Sequence, residues 1–200
     1  MAAVATLTLE QLAADINKQA EVVRGFLNSQ AGNTTKKKIT VLSVAGAKEH
    51  FDKSRSPEGI PWAPVSLRSG KPLLDTGRTR ASIASTFNGS TVVLSANGVQ
   101  ARLLNAGGIL RAKKKFLAIP LTAEARRAGS PRSIAGLHFQ GKKGANRGVL
   151  ADKQGKPVFA LVPSVRIPAR PFLGWSQATL AKIDRVLIED ITRALGGGNG

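Results

Sequence analysis

The segment SIASTFNGSTVVLSANGVQARLL, residues 82–104, carries the pattern that decides the fold. Two Asn-Gly pairs, at 88–89 and 97–98, separate its short runs of small, β-branched and apolar residues. Asn-Gly is the strongest short-range hairpin signal, because both central residues of a type I′ turn need positive φ. The segment therefore predicts a three-stranded antiparallel meander.

Two more strands are predicted on the C-terminal side of the meander. Phe116–Leu121 and Val158–Ile167 are apolar runs of strand length, and Pro157 and Pro168 bound the second run. Prolines are typical of strand ends because they cannot donate a hydrogen bond to a neighbouring strand. We expect both runs to extend the sheet that the meander begins.

Amphipathic helices are predicted at both ends of the chain. Thr8 and Gln11 have the spacing of a capping box, and Ser176 is placed to cap a last helix that ends at GGGNG. The apolar stripes are Leu9, Leu12, Ile16, Val23 and Leu27 in the first helix and Leu180, Ile183, Leu187, Ile191 and Leu195 in the last. Residues 36–54 fit a helix or a buried strand, and we favour a helix. Because single stripes must pack on a second element, the predicted fold is α+β, with one antiparallel sheet packed against the terminal helices.

The composition restricts the class of protein. The 200 residues include 30 Lys or Arg, 12 Asp or Glu and no Cys, so the formal charge is +18 and no disulfide framework exists. This length supports one aliphatic core, and residues 1–200 are predicted to form a single domain. Glu10 and Asp15 argue against a signal peptide, and no apolar run approaches the ~20 residues of a membrane helix. We expect a soluble protein without membrane contact.

Positive charge is concentrated in the middle of the chain. Residues 31–170 hold 25 basic and six acidic residues, and the two ends are nearly neutral. Within residues 126–156, eight bases face one acid and six glycines interrupt any periodicity. Such a composition cannot bury enough apolar surface to order itself, so this segment is predicted to be a basic loop or arm that folds on a partner.

No catalytic constellation is recognisable in the sequence. The two histidines, His50 and His138, are far apart and lie in no metal-binding context, and no nucleophile elbow or phosphate-binding loop is present. The few carboxylates of the basic middle are scattered, whereas metal-dependent nucleases need them clustered. We therefore expect neither enzymatic activity nor a metal or cofactor.

Two lysine clusters are candidates for contact with DNA. They comprise Lys36, Lys37 and Lys38 and, further on, Lys113, Lys114 and Lys115. Each cluster is able to neutralise phosphates or to face an acidic protein partner. Aromatic residues do not alternate with these bases, so contact with DNA would involve its backbone rather than base stacking.

Two segments are rigid because of their prolines. FDKSRSPEGIPWAPV, residues 51–65, places Trp62 between prolines, and VRIPARPFLGWS, residues 165–176, encloses Arg170 between Pro168 and Pro171. An indole fixed in this way is typical of a core side chain or of a contact with a partner.

These segments, in this order, resemble the tail completion or virion morphogenesis proteins of tailed phages, including Mu-like phages. The resemblance covers about residues 45–195. Its blocks are Phe51, Pro57, Gly59, Pro61 and Trp62; Leu74, Thr76, Gly77 and Ile83; Gly107 and Gly108; and Pro168, Ala169, Arg170, Pro171, Phe172 and Leu173. The third block departs from the family pattern, because Ala101, Leu104 and Asn105 stand where an aromatic and His-Gln-like residues are common.

The resemblance implies a structural virion protein of the head–tail neck. Such a subunit would complete the tail and join it to the DNA-filled head as a homo-oligomeric ring, for which we expect six copies. It would contact neck, connector and tail tube proteins, with possible backbone contact to packaged DNA, after assembly in the host cytoplasm. The same fold serves tail terminators, so the neck layer stays open, and a non-structural DNA-binding protein is the alternative.

Candidate contact residues follow from this interpretation. The interface set for a subunit or partner is Trp62, Arg126, Arg127, Lys142, Lys143, Arg147, Arg170, Pro171 and Phe172. Arg170 is predicted to form an orienting ion pair within the subunit or across its boundary. The two lysine clusters are predicted to face DNA or acidic connector surfaces.

Overall fold

The computed structural model describes residues 8–65, 69–142 and 144–196. Its helices are α1 (Leu9–Asn28), α2 (Gln30–Lys53), α3 (Arg78–Ala81), α4 (Ala101–Ala106), α5 (Ala123–Ala128) and α6 (Gln177–Gly196), with a 3₁₀ turn at Pro131–Ser133. Its strands are β1 (Ile83–Asn88), β2 (Thr91–Ala96), β3 (Gly108–Arg111), β4 (Leu117–Pro120), β5 (His138–Gln140), β6 (Gly148–Ala151), β7 (Pro157–Val162) and β8 (Ser164–Ile167). All strand pairs are antiparallel, so the predicted α+β class is confirmed.

The chain divides into two compact units. The helical unit comprises the residues up to Pro61, Thr76–Gly98 and the residues from Phe172 onward, and the strand unit comprises Trp62–Asp75 and Val99–Pro171. Each unit is therefore assembled from segments that are distant in sequence.

Local signals determine the ends of the long helices. The predicted capping box is present: Thr8 Oγ1 accepts from the Gln11 N–H at 3.2 Å, and Gln11 Oε1 accepts from the Thr8 N–H at 3.0 Å. Ser29 alone separates α1 from α2, and its hydroxyl accepts from the Gly32 N–H. The Ser176 hydroxyl accepts from the Thr179 N–H, as predicted for the last helix. The helix favoured over residues 36–54 is confirmed as the main part of α2.

Helix α2 is the centre of the helical unit. It contacts α1, α6 and the β1–β2 hairpin, so the terminal helices pack mainly on α2 and not on a sheet as predicted. A Cβ at Gly46 would collide with Thr179, so the absence of a side chain there lets α2 and α6 approach closely. The centres of this core are Ile39, Phe51 and Ile183, which are all buried.

The predicted meander is correct for its first hairpin only. β1 pairs with β2 from Ile83↔Ala96 to Asn88↔Thr91, so the turn residues are Gly89 and Ser90, one position later than predicted. Of these two, only Gly89 has positive φ, at 61°. The predicted third strand is wrong, because ARLLNA forms α4. This hexapeptide has good helix formers and no β-branched residue, and these preferences favour a helix.

The strand unit contains two separate sheets rather than extensions of the hairpin. β3 pairs with β8, and β4, β7, β6 and β5 form a four-stranded sheet in that order. The run Val158–Ile167, predicted as one strand, divides at Pro163 into β7 and β8, which belong to different sheets. A proline at this position cannot continue the hydrogen-bond ladder.

Residues 126–156 are not the structureless loop that their composition predicted. They include the 3₁₀ turn, β5 and β6, and β6 is a central strand of the four-stranded sheet. Leu137 and Leu150, with Ile134, pack on the buried cluster of Ala125, Val158 and Phe159. A few apolar residues on one face are sufficient to order the segment, because six of its seven described bases are exposed.

Candidate functional site

The two proline-rich segments singled out in the sequence meet in the strand unit. Nε and Nη2 of Arg170 both donate to the carbonyl oxygen of Ala63 at 3.0 Å, and Nη2 also donates to that of Pro64 at 3.2 Å. Trp62 Nε1 donates to the carbonyl oxygen of Pro171 at 2.9 Å. We call these five residues the arginine clamp.

The chemistry of the clamp follows from its prolines. Prolines lack an N–H and do not form a regular ladder, so neighbouring carbonyl groups need other donors. The planar guanidinium supplies several N–H donors in a fixed fork, which an ammonium group cannot reproduce. Arg170 is 8% exposed and Trp62 7% exposed, so both side chains are committed to this contact. In the clamp, Arg170 donates to backbone carbonyls, and the ion pair expected from the sequence stays a prediction.

The absence of a side chain at Gly107 lets the end of α4 approach the segment that contains Ala169 and Arg170. Gly107 has φ of 70°, and a Cβ there would lie 2.6 Å from the backbone nitrogen of Ala169. The Arg170 N–H donates to the carbonyl oxygen of Leu104 at 3.0 Å. The third and fourth blocks of the resemblance therefore pack on each other.

The first and fourth blocks also meet in the helical unit. Phe172 is fully buried, and its ring centroid lies 5.1 Å from that of Phe51. His50 Nδ1 is 3.1 Å from the carbonyl oxygen of Phe172. A Cβ at Gly174 would lie 2.7 Å from Cγ of Pro57. The aromatic and glycine positions of these motifs thus hold distant segments of the chain together.

The nine predicted interface residues consequently separate into different environments. Trp62, Arg170 and Phe172 are buried and bonded within the chain. The remaining described members are Arg126 and Arg127 on α5, Lys142 and Arg147 on the β5–β6 connection, and the half-buried Pro171. Lys143 lies outside the described residues. The interface role of this set stays a prediction.

The two lysine clusters differ in kind. Lys113, Lys114 and Lys115 are all exposed on the connection between β3 and β4. On α2, Lys36 Nζ lies 5.9 Å from the centre of the Phe87 ring. Lys38 Nζ is 2.8 Å from both carboxylate oxygens of Asp190. Lys36 and Lys38 of the cluster on α2 therefore have contacts within the chain, which were not visible in the sequence.

Asp190 is a nearly buried carboxylate that joins α2 to α6. It accepts hydrogen bonds from Lys38, from Thr35 Oγ1 at 2.7 Å and from Arg193 Nη1 at 3.1 Å. The hydrogen bonds from Lys38 and Thr35 hold the pKa of Asp190 below its usual value, because they stabilise the charged form. Thr35 and Lys38 are 155 and 152 residues away from Asp190 in sequence, so no local pattern indicated this role.

The charge is distributed unequally between the two units. The strand unit carries 17 basic and three acidic residues, a net charge of +14, while the helical unit carries 13 and nine, a net charge of +4. Among the described residues, no group of three or more His, Asp or Glu side chains is arranged to hold a metal ion. No helix within the described ranges is long and apolar enough to span a membrane.

Comparison with known proteins agrees with the resemblance in the sequence. Residues 100–192 match the model of the phage virion morphogenesis family. This segment is therefore similar to the phage virion morphogenesis family. The matched range includes Gly107 and the whole Ala169–Phe172 segment, while the first two blocks of the resemblance precede it. No curated protein and no solved structure matches the chain.

Similarity of this segment to the phage virion morphogenesis family suggests a role in the structure or assembly of the virion. The match extends from the start of α4 into α6, so it includes most of the strand unit but not its Trp62–Asp75 segment. Within the matched range, Gly107 and Arg170 have the packing roles described above.

Proposed function

We propose that the protein is a structural subunit of the phage head–tail neck, which completes the tail and joins it to the DNA-filled head as an oligomeric ring. The family match over residues 100–192 carries this proposal. Buried motif residues suit it, because a subunit that transmits load between head and tail needs a precisely held chain and no reactive group. The subunit acts without catalysis or cofactor, is located in the virion neck, and forms a ring of six copies.

The strand unit is the part that we place next to packaged DNA or an acidic connector surface. Its net charge of +14 favours contact with either, and Lys113, Lys114 and Lys115 are exposed. Contact with phosphates would be non-specific, since backbone contacts carry no sequence information. This suits a channel through which a whole genome passes.

Deletion of the gene in its phage, followed by negative-stain electron microscopy of the lysate, tests the proposal. We expect DNA-filled heads and full-length tails that are not joined, and restoration of joined particles by a plasmid copy. Tails of abnormal length would instead place the protein at the tail terminator layer. Intact infectious particles would refute a virion role.

A non-structural DNA-binding protein is the second candidate, which the charge of the strand unit favours. Its test is a gel-shift titration of duplex DNA between 50 and 200 mM salt, chosen because each phosphate contact steepens the salt dependence. Replacement of Lys113, Lys114 and Lys115 by Gln should lower the log–log slope by about 2.7 if all three contact phosphates. An unchanged slope would exclude this cluster from DNA contact.

A further inference from the structure

The N-terminal half of α1 presents an apolar face that the described residues of its own subunit leave uncovered. Every residue from Thr8 to Val22 is exposed, and the values are 85% for Leu9, 44% for Leu12 and 59% for Ile16. These three side chains recur at helical spacing and share one face. Most of the stability of a protein helix comes from packing an amphipathic face, so this face needs a cover.

Helix α1 contacts its own subunit mainly through its C-terminal half. Phe26 is its buried residue, and Asp15, Val22 and Val23 line a groove that Ile191 of α6 also lines. Leu9, Leu12 and Ile16 do not line that groove, although Val23 belongs to the same apolar stripe. The Leu9–Leu12–Ile16 face is therefore left for another molecule.

The same part of α1 has the opposite charge from the chain as a whole. Residues 8–22 contain three acidic residues, Glu10, Asp15 and Glu21, and one basic residue, Lys18, so their net charge is −2 in a chain whose net charge is +18. The charge and the apolar stripe together define the surface that is complementary to this face of α1. That surface is an apolar strip with lysines at its edges.

Helix α2 carries such a strip. Val41 is 67% exposed, Val44 lies next to it on the same face, and Lys37 and Lys48 lie at the two ends of that face. Two shallow grooves adjoin Val41, one lined by Val44, Ala45 and Lys48 and the other by Lys37, Leu42 and Val186. Among the described residues, neither Lys37 nor Lys48 has an ion-pair partner.

We propose that the Leu9–Leu12–Ile16 face of α1 docks on the Val41 strip of α2 in a second copy of this chain. Apolar side chains then cover each other, and Glu10 and Asp15 come near Lys37 and Lys48. The donor face and the acceptor strip are different surfaces, so the contact is head-to-tail and every subunit offers one of each. Head-to-tail contacts close into rings when the rotation permits. The inference rests on the proposed ring and names the surfaces that build it.

The oligomeric mass of the purified full-length protein tests the docking. By size-exclusion chromatography with light scattering, we expect wild type at a multiple of 21.0 kDa and Leu12→Asp/Ile16→Asp at 21.0 kDa. The matched control is Ala14→Asp/Asn17→Asp, which adds the same two charges to another side of α1 and should keep the wild-type mass. Far-ultraviolet circular dichroism checks that all three proteins keep their helix content.

Cross-linking tests the pairing of the two surfaces directly, because the chain has no native cysteine. Under oxidation, a mixture of Leu12→Cys and Val41→Cys chains should give a disulfide-linked dimer. The control mixture combines Leu12→Cys with Val99→Cys, which is fully exposed in the strand unit and should not cross-link.

Three outcomes would overturn the docking: a monomeric wild type, an unchanged mass for Leu12→Asp/Ile16→Asp, or cross-linking no stronger than in the control mixture. None of these would refute the neck proposal, which the gene deletion tests separately. If the gene deletion gave unjoined heads and tails but Leu12→Asp/Ile16→Asp kept the wild-type mass, the neck role would stand and the α1–α2 contact would be rejected.

Discussion

Replacement of Arg170 by Ala removes the centre of the arginine clamp. The guanidinium donates three hydrogen bonds to the carbonyl groups of Ala63 and Pro64. Hydrogen bonds that involve a charged group contribute about 1.5–3 kcal/mol each when the partner stays buried. Here both acceptor residues are exposed, so their carbonyl groups regain water in the variant. We therefore expect the variant to lose about 2 kcal/mol from the free energy of unfolding in total. This total for three hydrogen bonds lies near the lower end of the range for a single bond to a buried partner.

A change of this size is easily measured. For a chain of about this length, 1 kcal/mol lowers Tm by roughly 2–4 °C, so Arg170→Ala should lower Tm by roughly 4–8 °C. Urea unfolding followed by tryptophan fluorescence is the sharper assay, because Trp62 and Trp175 lie in different units. In a Trp175→Phe background, the emission reports on Trp62, which is itself part of the clamp.

Two further variants decide between the clamp and a general effect of lost charge. Arg166→Ala removes an exposed arginine of β8 in the same unit and should change stability by less than about 0.5 kcal/mol. Arg170→Lys keeps the charge but not the planar fork, so it should recover only part of the loss. If Arg170→Ala were no more destabilising than Arg166→Ala, the clamp would have no energetic role and the reasoning would be refuted.

Three further predictions concern stability and are measured by urea unfolding. Because hydrogen bonds from Lys38 lower the folded-state pKa of Asp190, its contribution is present above the unfolded pKa of about 3.9 and is lost as pH falls through the folded value. Asp190→Asn should therefore destabilise at pH 7 and make the remaining acid sensitivity smaller, and equal pH profiles for variant and wild type would contradict this. Gly107→Ala should cost more than Gly129→Ala, since both have φ near 70° but only Gly107 meets neighbouring backbone, and equal losses would refute the close approach. Phe159→Ala should cost about 3–5 kcal/mol because the ring is 1% exposed in the core of the strand unit, and a loss below about 1 kcal/mol would show that this core is loosely packed.

The candidate site was only partly visible in the sequence. The prolines around Trp62 and Arg170 indicated two rigid segments, because proline restricts its own φ and the residue before it. That these segments bind each other was not visible, since Arg170 joins them by donating to the backbone carbonyls of Ala63 and Pro64, and every residue carries such a carbonyl. The sequence likewise indicated that Lys36, Lys37 and Lys38 have one shared role. Lys38 instead binds Asp190, which is 152 residues away and therefore was not predictable from the local pattern.

Local sequence was sufficient to predict the N-terminal ends of α1 and α6, most of α2 and the first hairpin. The reason is that caps, helical periodicity and two-residue turns depend on groups within about four residues of each other. The α+β class and the family resemblance followed from the same short motifs and their order.

Tertiary structure alone decided which surfaces meet. It separated β7 from β8 into different sheets, ordered residues 126–156 on Phe159, and made α2 rather than a sheet the support of the terminal helices. These outcomes depend on the free energy of burying apolar surface, which is non-directional and does not specify a partner. A stripe such as Leu9, Leu12 and Ile16 therefore shows that a helix needs a cover, while the exposed positions of α1 and α2 show where a second chain can supply it.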